Sequence, residues 1–324
     1  MNMKKVAILT SGGDAPGMNA AIRSIVRTAH QMGVESIGIE DGFAGLVEGR
    51  FRPLSCRDVG NTIHVAGTIL GSARAPEFAQ PEVQTKAVNN LKANGIDGVI
   101  VIGGNGSQQG GAALNKLGFP TMGVASTIDN DLLGTDQSIG FDSAVQVACE
   151  AIDRLRVTAR SHHRAFIVEV MGRDCGELAL HAGMAGGAEI ILVPEQEADL
   201  KQVMVRLEDA KKRGKQQSII VVAEGCVLNG EALFNALNEL KPSFPIRLTK
   251  LGHTQRGGMP TATDRVLATQ LGHHAVSHLV KNGSGGFVAG IQSGKLTLTP
   301  YADVTTGTRS IEPSLLALSE LLAC

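Results

Sequence analysis

The sequence predicts an α/β protein with about two domains. Short apolar runs are repeatedly followed by glycine-rich turns and by segments with helical spacing, an order that is typical of parallel β-sheets. The chain has 324 residues, of which 43% are hydrophobic, and it can therefore bury a substantial core. Its 40 glycines and 3% aromatic residues favour many tight strand-to-helix turns over an aromatic recognition surface.

The first strand, loop and helix begin near the start of the chain. Val6–Leu9 is a continuous apolar run that predicts a buried parallel strand, and it enters the glycine loop Ser11–Gly13. The apolar positions of Met18–Arg27 recur at helical spacing. Such a helix start favours an anion, because it combines unpaired N–H groups with the positive end of the helix dipole.

The same order returns twice in the first half of the chain. Gly98–Ile102 predicts a strand that runs into the glycine loop Gly103–Ser107, and Thr121–Ala125 predicts a strand that leads to Ser126–Asp131. The loops that follow parallel strands lie at one edge of a sheet. We therefore expect these loops to converge on one ligand.

The second half repeats the plan of a strand followed by polar residues. It predicts a helix, three strands and a final helix, at Ser143–Thr158, Ala165–Val170, Ser218–Ala223, Gly285–Ile291 and Pro313–Leu322. We expect a second α/β sheet that faces the first, a domain boundary near Gly140 and an active site in the cleft between the domains.

Charge and cysteine content exclude several classes of function. The formal net charge is −1 with both signs interspersed, so no overall field attracts nucleic acid or a membrane surface. The five cysteines are widely spread without a CxxC pair, which indicates reduced thiols and neither a disulfide framework nor a zinc site. The first apolar run is too short for a signal peptide or a membrane span. These features predict a cytoplasmic protein.

The stretch Ser126–Asp131 is the candidate catalytic centre. Asp129 and Asp131 can provide a proton acceptor and an oxygen ligand for a hard cation such as Mg²⁺. The alternative is a simple loop, because Asp and Asn also stabilise turns.

The glycine loops suit phosphate, with Ser11 and Ser107 as additional donors, although glycines after strands also serve simply to turn the chain. Neither GxxxxGK(S/T) nor a clean GxGxxG is present. A P-loop ATPase and a dinucleotide-binding dehydrogenase both lose support.

Six motifs occur in order along the chain, at Thr10–Asn19, Gly71–Arg74, Gly103–Ser107, Thr127–Asp131, Met171–Arg173 and Leu251–Gly258. Together they resemble the bacterial ATP-dependent 6-phosphofructokinase family, over nearly the whole chain and more weakly after about Leu296. The resemblance implies two Rossmann-like α/β domains with mainly parallel sheets, and a homotetramer. It also implies transfer of the γ-phosphoryl group of Mg-ATP to the 1-hydroxyl of fructose 6-phosphate, a step of glycolysis.

The resemblance assigns a ligand to each domain. Residues 1–140 with about 254–306 would form the larger, nucleotide-binding domain, and residues 141–253 with about 307–324 the smaller, sugar-phosphate-binding domain.

Catalytic and donor-side roles follow from the same motifs. Asp129 would be the general base, Thr127 and Arg173 would hold the transferring phosphoryl group, and Asp131 and Asn105 would hold Mg²⁺. The residues that would bind ATP are Gly13, Arg74, Ala75, Gly104, Asn105, Gly106, Ser107 and Gly110.

The resemblance also implies a sugar-phosphate site and an effector site. Besides Thr127, Asp129, Asp131 and Arg173, the residues that would contact fructose 6-phosphate within one subunit are Met171, Gly172, Glu224, His253 and Arg256, with Arg256 as a phosphate clamp. Arg164 and Arg247 would reach the sugar phosphate from a neighbouring subunit. A nucleoside diphosphate or phosphoenolpyruvate effector would bind Arg23, Arg27, Arg156, Arg213 and Lys215.

Three departures from the family pattern leave alternatives open. Asn105 replaces the usual Asp and brings no negative charge to Mg²⁺, which admits an impaired enzyme, a compensated one or a regulatory paralogue. Gly106 and Ser126 stand where pyrophosphate-dependent relatives carry Asp and Lys, so ATP is favoured over pyrophosphate as the donor. Cys56–Arg57 and Gln216 depart from the effector pattern, which leaves the identity of the effector open.

Overall fold

The computed structural model describes residues 3–322, and the chain divides into two compact units. Unit 1 is Met1–Asp142 with Arg256–Thr308, and unit 2 is Ser143–Gln255 with Arg309–Cys324. The chain changes unit within about two residues of each boundary that the sequence predicted. Which ligand each unit binds stays a prediction.

Strands and helices alternate along most of the described residues, up to the consecutive strands β10 and β11. The strands are β1 (Lys5–Thr10), β2 (Glu35–Ile39), β3 (Phe51–Leu54), β4 (Gly98–Gly103), β5 (Thr121–Ala125), β6 (Ala165–Val170), β7 (Ile190–Leu192), β8 (Ser218–Ala223), β9 (Ile246–Lys250), β10 (Phe287–Gln292) and β11 (Lys295–Pro300). The α-helices are α1 (Met18–Gln31), α2 (Gly42–Glu48), α3 (Pro81–Ala93), α4 (Asn105–Lys116), α5 (Phe141–His162), α6 (Glu177–Ala185), α7 (Leu200–Lys212), α8 (Gly230–Glu239), α9 (Ala262–Asn282), α10 (Tyr301–Val304) and α11 (Pro313–Leu322). Short 3-10 helices lie at Pro76–Ala79 and Gly252–Arg256.

Unit 1 is built on a seven-stranded sheet in the order β11-β10-β5-β4-β1-β2-β3. The five inner strands are parallel, whereas β3 and β11 are antiparallel to their neighbours at the two edges. β4 and β5 are buried along their whole length, and β1 is buried from its second residue onward. Strands that are buried on both faces are apolar throughout, which is why these three could be predicted from the sequence.

Unit 2 contains a four-stranded parallel sheet in the order β7-β8-β6-β9. Its core includes Ile167 and Ile220 from the sheet and Phe244 from the segment before β9, all at 0% exposure. Leu315 and Leu316 of α11 pack against this core. The α/β class with mainly parallel sheets is therefore confirmed in both units. Among residues 3–322, no helix combines the length and the apolarity that crossing a membrane requires.

Candidate active site

Three loops of unit 1 begin at the same edge of its sheet. Thr10 pairs with Ile102, and Gly103 pairs with Ala125, so that β1, β4 and β5 end at one level. The alignment continues beyond the strands, because the backbone N–H of Ser11 donates to the Ile102 carbonyl at 3.1 Å. The N–H of Ser126 likewise donates to the Gly103 carbonyl at 3.1 Å. The loops after these strands therefore lie side by side, as the sequence predicted.

Glycine is required where these loops approach one another. A Cβ on Gly103 would lie 2.5 Å from Ser107 Oγ and 2.6 Å from the carbonyl oxygen of Ser11, which no side chain tolerates. A Cβ on Gly106 would meet no atom within 4 Å. Gly106 lies in the first turn of α4 and is exposed, so it borders open space at the positive end of a helix.

A buried hydrogen-bond network holds the stretch that carries Asp129. The side chain of Thr127 accepts from the backbone N–H of Asp129 at 3.2 Å, and Ser138 Oγ donates to the Thr127 carbonyl at 2.6 Å. Asn130 has a positive φ of 53°, and its Oδ1 accepts from the Ser138 N–H at 2.9 Å. Asp129 is only 5% exposed. Its position is thus set by neighbours on both sides in the chain.

Asn105 and Asp131 contact each other directly. Asn105 Nδ2 donates to Asp131 Oδ2 at 2.7 Å, and both residues are half-buried. Among residues 3–322, no group of three or more His, Cys, Asp or Glu side chains is arranged to hold a metal ion. Mg²⁺ in phosphoryl-transfer sites takes only one or two carboxylates and completes its shell with water and substrate phosphates. One carboxylate with an adjacent amide oxygen fits that mode of binding.

Two further segments, residues 71–75 and α4, carry other residues of the predicted ATP site. Ser72 Oγ donates to the Gly12 carbonyl at 2.6 Å, which fixes the first segment to the loop after β1. Arg74 and Ala75 follow Ser72 within three residues, and Arg74 is exposed. Gly110 is different, because a Cβ there would lie 2.5 Å from the ring of Phe43. The packing of α4 against Phe43 is by itself sufficient to require glycine at this position.

Arg256 also lies on the first loop. Its Nη1 donates to the Asp14 carbonyl at 2.7 Å, and a Cβ on Gly13 would be 2.5 Å from the same nitrogen. The sequence assigned Arg256 to the sugar phosphate. The structure instead shows Arg256 in contact with Gly13 and Asp14, which belong to the loop after β1 in unit 1.

In unit 2, the loop Met171–Arg173 follows β6 and is held by two side chains. Gln255 Oε1 accepts from the Met171 N–H at 3.0 Å, and Glu224 Oε1 accepts from the Arg173 N–H at 3.2 Å. Gly172 has a φ of 132°, and Arg173 has a φ of 53°. Only the first suits glycine alone, since a Cβ there would also lie 2.5 Å from the Cys175 carbonyl. The turn presents the exposed Arg173 and Glu224 side chains at the carboxyl edge of the sheet.

Arg164 and Arg247 lie at the opposite edge of the same sheet. Arg164 immediately precedes β6, and Arg247 pairs with Phe166 near the start of that strand. Met171 follows the other end of β6, about 20 Å away for a strand of this length. His253 lies beyond the carboxyl end of β9 and is exposed. Unit 2 therefore does not bring all of the predicted sugar-phosphate residues together.

The predicted effector residues are also divided. Arg23 and Arg27 lie on α1 of unit 1, whereas Arg156, Arg213 and Lys215 belong to unit 2. Arg156 Nη2 donates to the carbonyls of Gly186 and Gly187, in the second case at 2.8 Å. Lys215 Nζ lies 3.4 Å from Glu189 Oε1. Two of the three cations in unit 2 thus have acceptors within the unit.

Sequence reasoning missed the supporting residues of the site. Gln255 has 0% exposure and fixes Met171, and Ser138 fixes both Thr127 and Asn130. Gln255 stands within a recognised motif, between His253 and Arg256. Its place in that motif was the available signal. Nothing in the sequence around Ser138 distinguishes it from other loop serines.

The sequence is similar to those of known proteins over nearly its whole length. The family model described as phosphofructokinase matches residues 5–279. The chain is 52% identical over 299 residues to the ATP-dependent 6-phosphofructokinase of Streptococcus equi subsp. zooepidemicus, covering 92% of this chain and 88% of the relative. It is 51% identical over 322 residues to ATP-dependent 6-phosphofructokinase 1 of Thermus thermophilus, covering 99% and 100% of the two chains.

Solved structures are similar over most of this chain. Phosphofructokinase from Saccharomyces cerevisiae has a TM-score of 0.85 and 35% sequence identity, over 93% of this chain and 45% of the yeast chain. The present chain therefore spans less than half of that protein. A pyrophosphate-dependent phosphofructokinase from Marinobacter aquaeolei has a TM-score of 0.86 at 21% identity, over 96% of this chain and 86% of that chain, which shows a shared fold alone.

Proposed function

We propose that this chain, which belongs to the phosphofructokinase family, transfers the γ-phosphoryl group of ATP to the 1-hydroxyl of fructose 6-phosphate. The products are fructose 1,6-bisphosphate and ADP. The observation that carries the proposal is the buried Asp129, held by Thr127 at the edge where three glycine-containing loops meet. A carboxylate in this position is suited to accept the proton of an attacking hydroxyl.

The donor is assigned to the loops of unit 1. The N-terminus of α4 and the open space beside Gly106 suit the phosphates of a nucleotide. Asp131 and Asn105 would hold Mg²⁺, which when bound neutralises charge on the phosphate oxygens. The names of the relatives at about 50% identity support ATP over pyrophosphate, and an active kinase over a regulatory paralogue.

The acceptor is assigned to the carboxyl edge of the unit 2 sheet. Glu224 would accept a hydrogen bond from a sugar hydroxyl, and Arg173 would stabilise the charge of the transferring phosphoryl group. Met171, Gly172 and His253 would line this site. Phosphoryl transfer needs little covalent chemistry from the protein, so one base with several fixed donors and cations is sufficient.

Asp129→Asn tests the assignment of the base. The amide keeps the size of the side chain but does not accept a proton, so the rate of ATP-dependent fructose 1,6-bisphosphate formation should fall about 100- to 10,000-fold. Binding of fructose 6-phosphate, measured by calorimetry, should change much less. If the variant retains its rate, another group serves as the base.

We also propose a homotetramer in which Arg164 and Arg247 serve the sugar phosphate of a neighbouring subunit. Their separation from Met171 along β6 supports this proposal. Mixing the inactive variants Asp129→Asn and Arg247→Ala under conditions of subunit exchange tests it. Hybrid tetramers should regain activity, because some sites then combine an intact base with an intact arginine. Activity that stays at the level of the separate variants contradicts the proposal.

A nucleoside diphosphate or phosphoenolpyruvate is the proposed effector, at Arg23, Arg27, Arg156, Arg213 and Lys215. Because Arg156 already donates to Gly187 and Lys215 already pairs with Glu189, a ligand must compete with these contacts, and we expect a weak response. Rates at subsaturating fructose 6-phosphate, with and without each effector, measure it. The proposed location is the cytoplasm, where reduced cysteines are the norm.

A further inference from the structure

Gln108 is the fourth residue of α4, and its side chain is completely buried. Its exposure is 0%, although glutamine is usually an exposed residue. Nε2 donates to the Gly103 carbonyl at 2.8 Å and to the Val124 carbonyl at 3.2 Å. Gly103 is the last residue of β4, and Val124 is the last but one of β5. The amide therefore joins α4 to the carboxyl ends of two neighbouring strands.

The Gly103 carbonyl also accepts a second hydrogen bond, from the backbone N–H of Ser126 at 3.1 Å. Ser126 begins the segment that carries the proposed base Asp129. Asn105, a proposed metal ligand, follows Gly103 by two residues. Gln108 is therefore bonded at the point where both functional segments leave the sheet.

Gly123 provides the space that the amide of Gln108 occupies. A Cβ on Gly123 would lie 2.1 Å from Gln108 Oε1 and 2.9 Å from Val288 Cγ2. Within residues 3–322, Oε1 is buried and has no hydrogen-bond partner. Because an unpaired buried acceptor is unfavourable, stability alone gives little reason for a glutamine here. The two bonds that Nε2 donates are the contribution that an apolar side chain of the same size lacks.

We propose that Gln108 is a positioning residue for phosphoryl transfer. Through its bonds to Gly103 and Val124, it sets the spacing between the first turn of α4 and the segment Ser126–Asp131. The inference rests on the proposed function of the chain. The first turn of α4 would hold the nucleotide phosphates and Mg²⁺, whereas Asp129 would accept the proton of the sugar hydroxyl. Their spacing therefore decides how well the donor and the base are aligned.

Alignment of this kind affects the rate more than it affects binding. A displacement of about 1 Å between reacting groups is enough to lower a rate about 100-fold. Each ligand still binds to its own segment when the spacing changes, because the groups that contact it move together. A change at Gln108 should therefore lower kcat and leave both KM values nearly unchanged.

Gln108→Met tests this role, because methionine has a similar length and volume but donates no hydrogen bond. Gln109→Met is the matched control, since Gln109 is the exposed neighbour on the same helix. Gln108→Asn is a second variant that keeps the amide and shortens its reach by one carbon. Steady-state kinetics give kcat and both KM values. Calorimetry with a non-hydrolysable Mg-ATP analogue gives the fraction of chains that bind nucleotide, and urea titration shows that each variant folds.

Gln108→Met and Gln108→Asn should each lower kcat, expressed per nucleotide-binding chain, about 10- to 100-fold. Both KM values should stay within about threefold of those of the unaltered chain, and Gln109→Met should match the unaltered chain throughout. A kcat that is retained in either folded Gln108 variant overturns the inference, as does a loss of rate that a smaller fraction of binding chains fully explains. If the unaltered chain binds the analogue but does not phosphorylate fructose 6-phosphate, the proposed function itself fails, and this result differs from both.

Discussion

Asn105 Nδ2 donates a hydrogen bond to Asp131 Oδ2 at 2.7 Å. The residue that departs from the family pattern is thus bonded to the carboxylate that is proposed to hold Mg²⁺. An Asp at position 105 would place two like charges at this distance in the unliganded protein. Asn105 instead offers Asp131 a hydrogen-bond donor in place of a like charge. Asp131 then supplies the negative charge when the cation binds.

Asn105→Asp should therefore strengthen the dependence of folding on Mg²⁺. Without the cation the variant should be less stable than the unaltered chain by about 1–3 kcal/mol, because a hydrogen bond is replaced by repulsion. The Mg²⁺ concentration for half-maximal rate should fall about tenfold, since the second carboxylate adds charge to the site. Urea titrations and Mg²⁺-dependent rates measure both effects. Asn61→Asp, in an exposed loop, is the control for charge alone, and an equal shift in both variants would refute the assignment.

Two substitutions of Asn130 distinguish the effect of backbone strain from the effect of hydrogen bonding in the catalytic loop, residues 126–131. Both Asn130→Ala and Asn130→Gly lose the side-chain bonds to Ser138 and Asp136, but only the alanine variant also places a Cβ at a φ of 53°. The alanine variant should be less stable by about 1–2 kcal/mol than the glycine variant, the cost of left-handed backbone.

Both Asn130 variants should lower kcat about 100-fold, because a displacement of about 1 Å at the adjacent Asp129 is enough to do so. Asn61→Gly, at a φ of 57°, is the matched control and should keep its kcat. A normal kcat in Asn130→Gly would show that the side-chain bonds of Asn130 to Ser138 and Asp136 do not position the base.

Gly106 and Gly110 lie one helical turn apart on α4 but differ in their surroundings. Gly110→Ala should destabilise the fold by about 1–3 kcal/mol, because its Cβ would meet the buried Phe43 ring. Gly106→Ala should leave stability unchanged or raise it by up to about 1 kcal/mol, since alanine favours helices and the space is open. If nucleotide fills that space, this second variant should raise the KM for ATP. Thermal unfolding and steady-state kinetics check the pair, and equal stability losses would contradict it.

Because of the buried thiol of Cys226, we expect the folded protein to lose stability at high pH. Burial is the main cause that raises the pKa of its thiol from 9.0 to about 11. At pH values between 9 and 11, the thiol is deprotonated in the unfolded chain but stays protonated in the folded chain. The contribution of this thiol to the free energy of unfolding is therefore complete below pH 9 and is lost as pH rises toward 11. The urea midpoint of the unaltered chain should fall more between pH 8 and pH 10 than that of Cys226→Ala. If the urea midpoints of the two proteins fall equally with pH, the thiol of Cys226 does not cause the loss of stability.

The sequence predicted six of the strands, and it missed the four edge strands β3, β7, β9 and β11 together with the inner strand β2. β1, β4, β5, β6 and β8 are mainly apolar, with Lys5 at the start of β1 and Glu169 near the end of β6 as their charged residues, and such near-continuous runs are typical of strands covered on both faces. β3, β9 and β11 contain exposed or polar residues, and β7 has only three residues. Edge strands take their shape from a neighbour, and this neighbour is not encoded within the strand itself.

The candidate site shows the same division. The motifs identified Asp129, Asn105 and Asp131 directly, because the residue type alone determines whether a side chain can accept a proton or bind a cation. The sequence did not reveal that Asn105 donates to Asp131, that Gln255 supports Met171 or that Arg256 contacts Asp14. Each of these contacts joins residues far apart in the chain, and only the folded structure fixes which partner a flexible polar side chain selects.

The initial rate of fructose 1,6-bisphosphate formation, with ATP or pyrophosphate as donor at saturating Mg²⁺, tests the central claim most directly. We expect turnover with ATP and little or none with pyrophosphate, because Gly106 leaves open space for the rest of the nucleotide. Ser126 also provides no cation suited to pyrophosphate. Turnover with pyrophosphate alone, or no phosphorylation of fructose 6-phosphate with either donor, would contradict the proposed function.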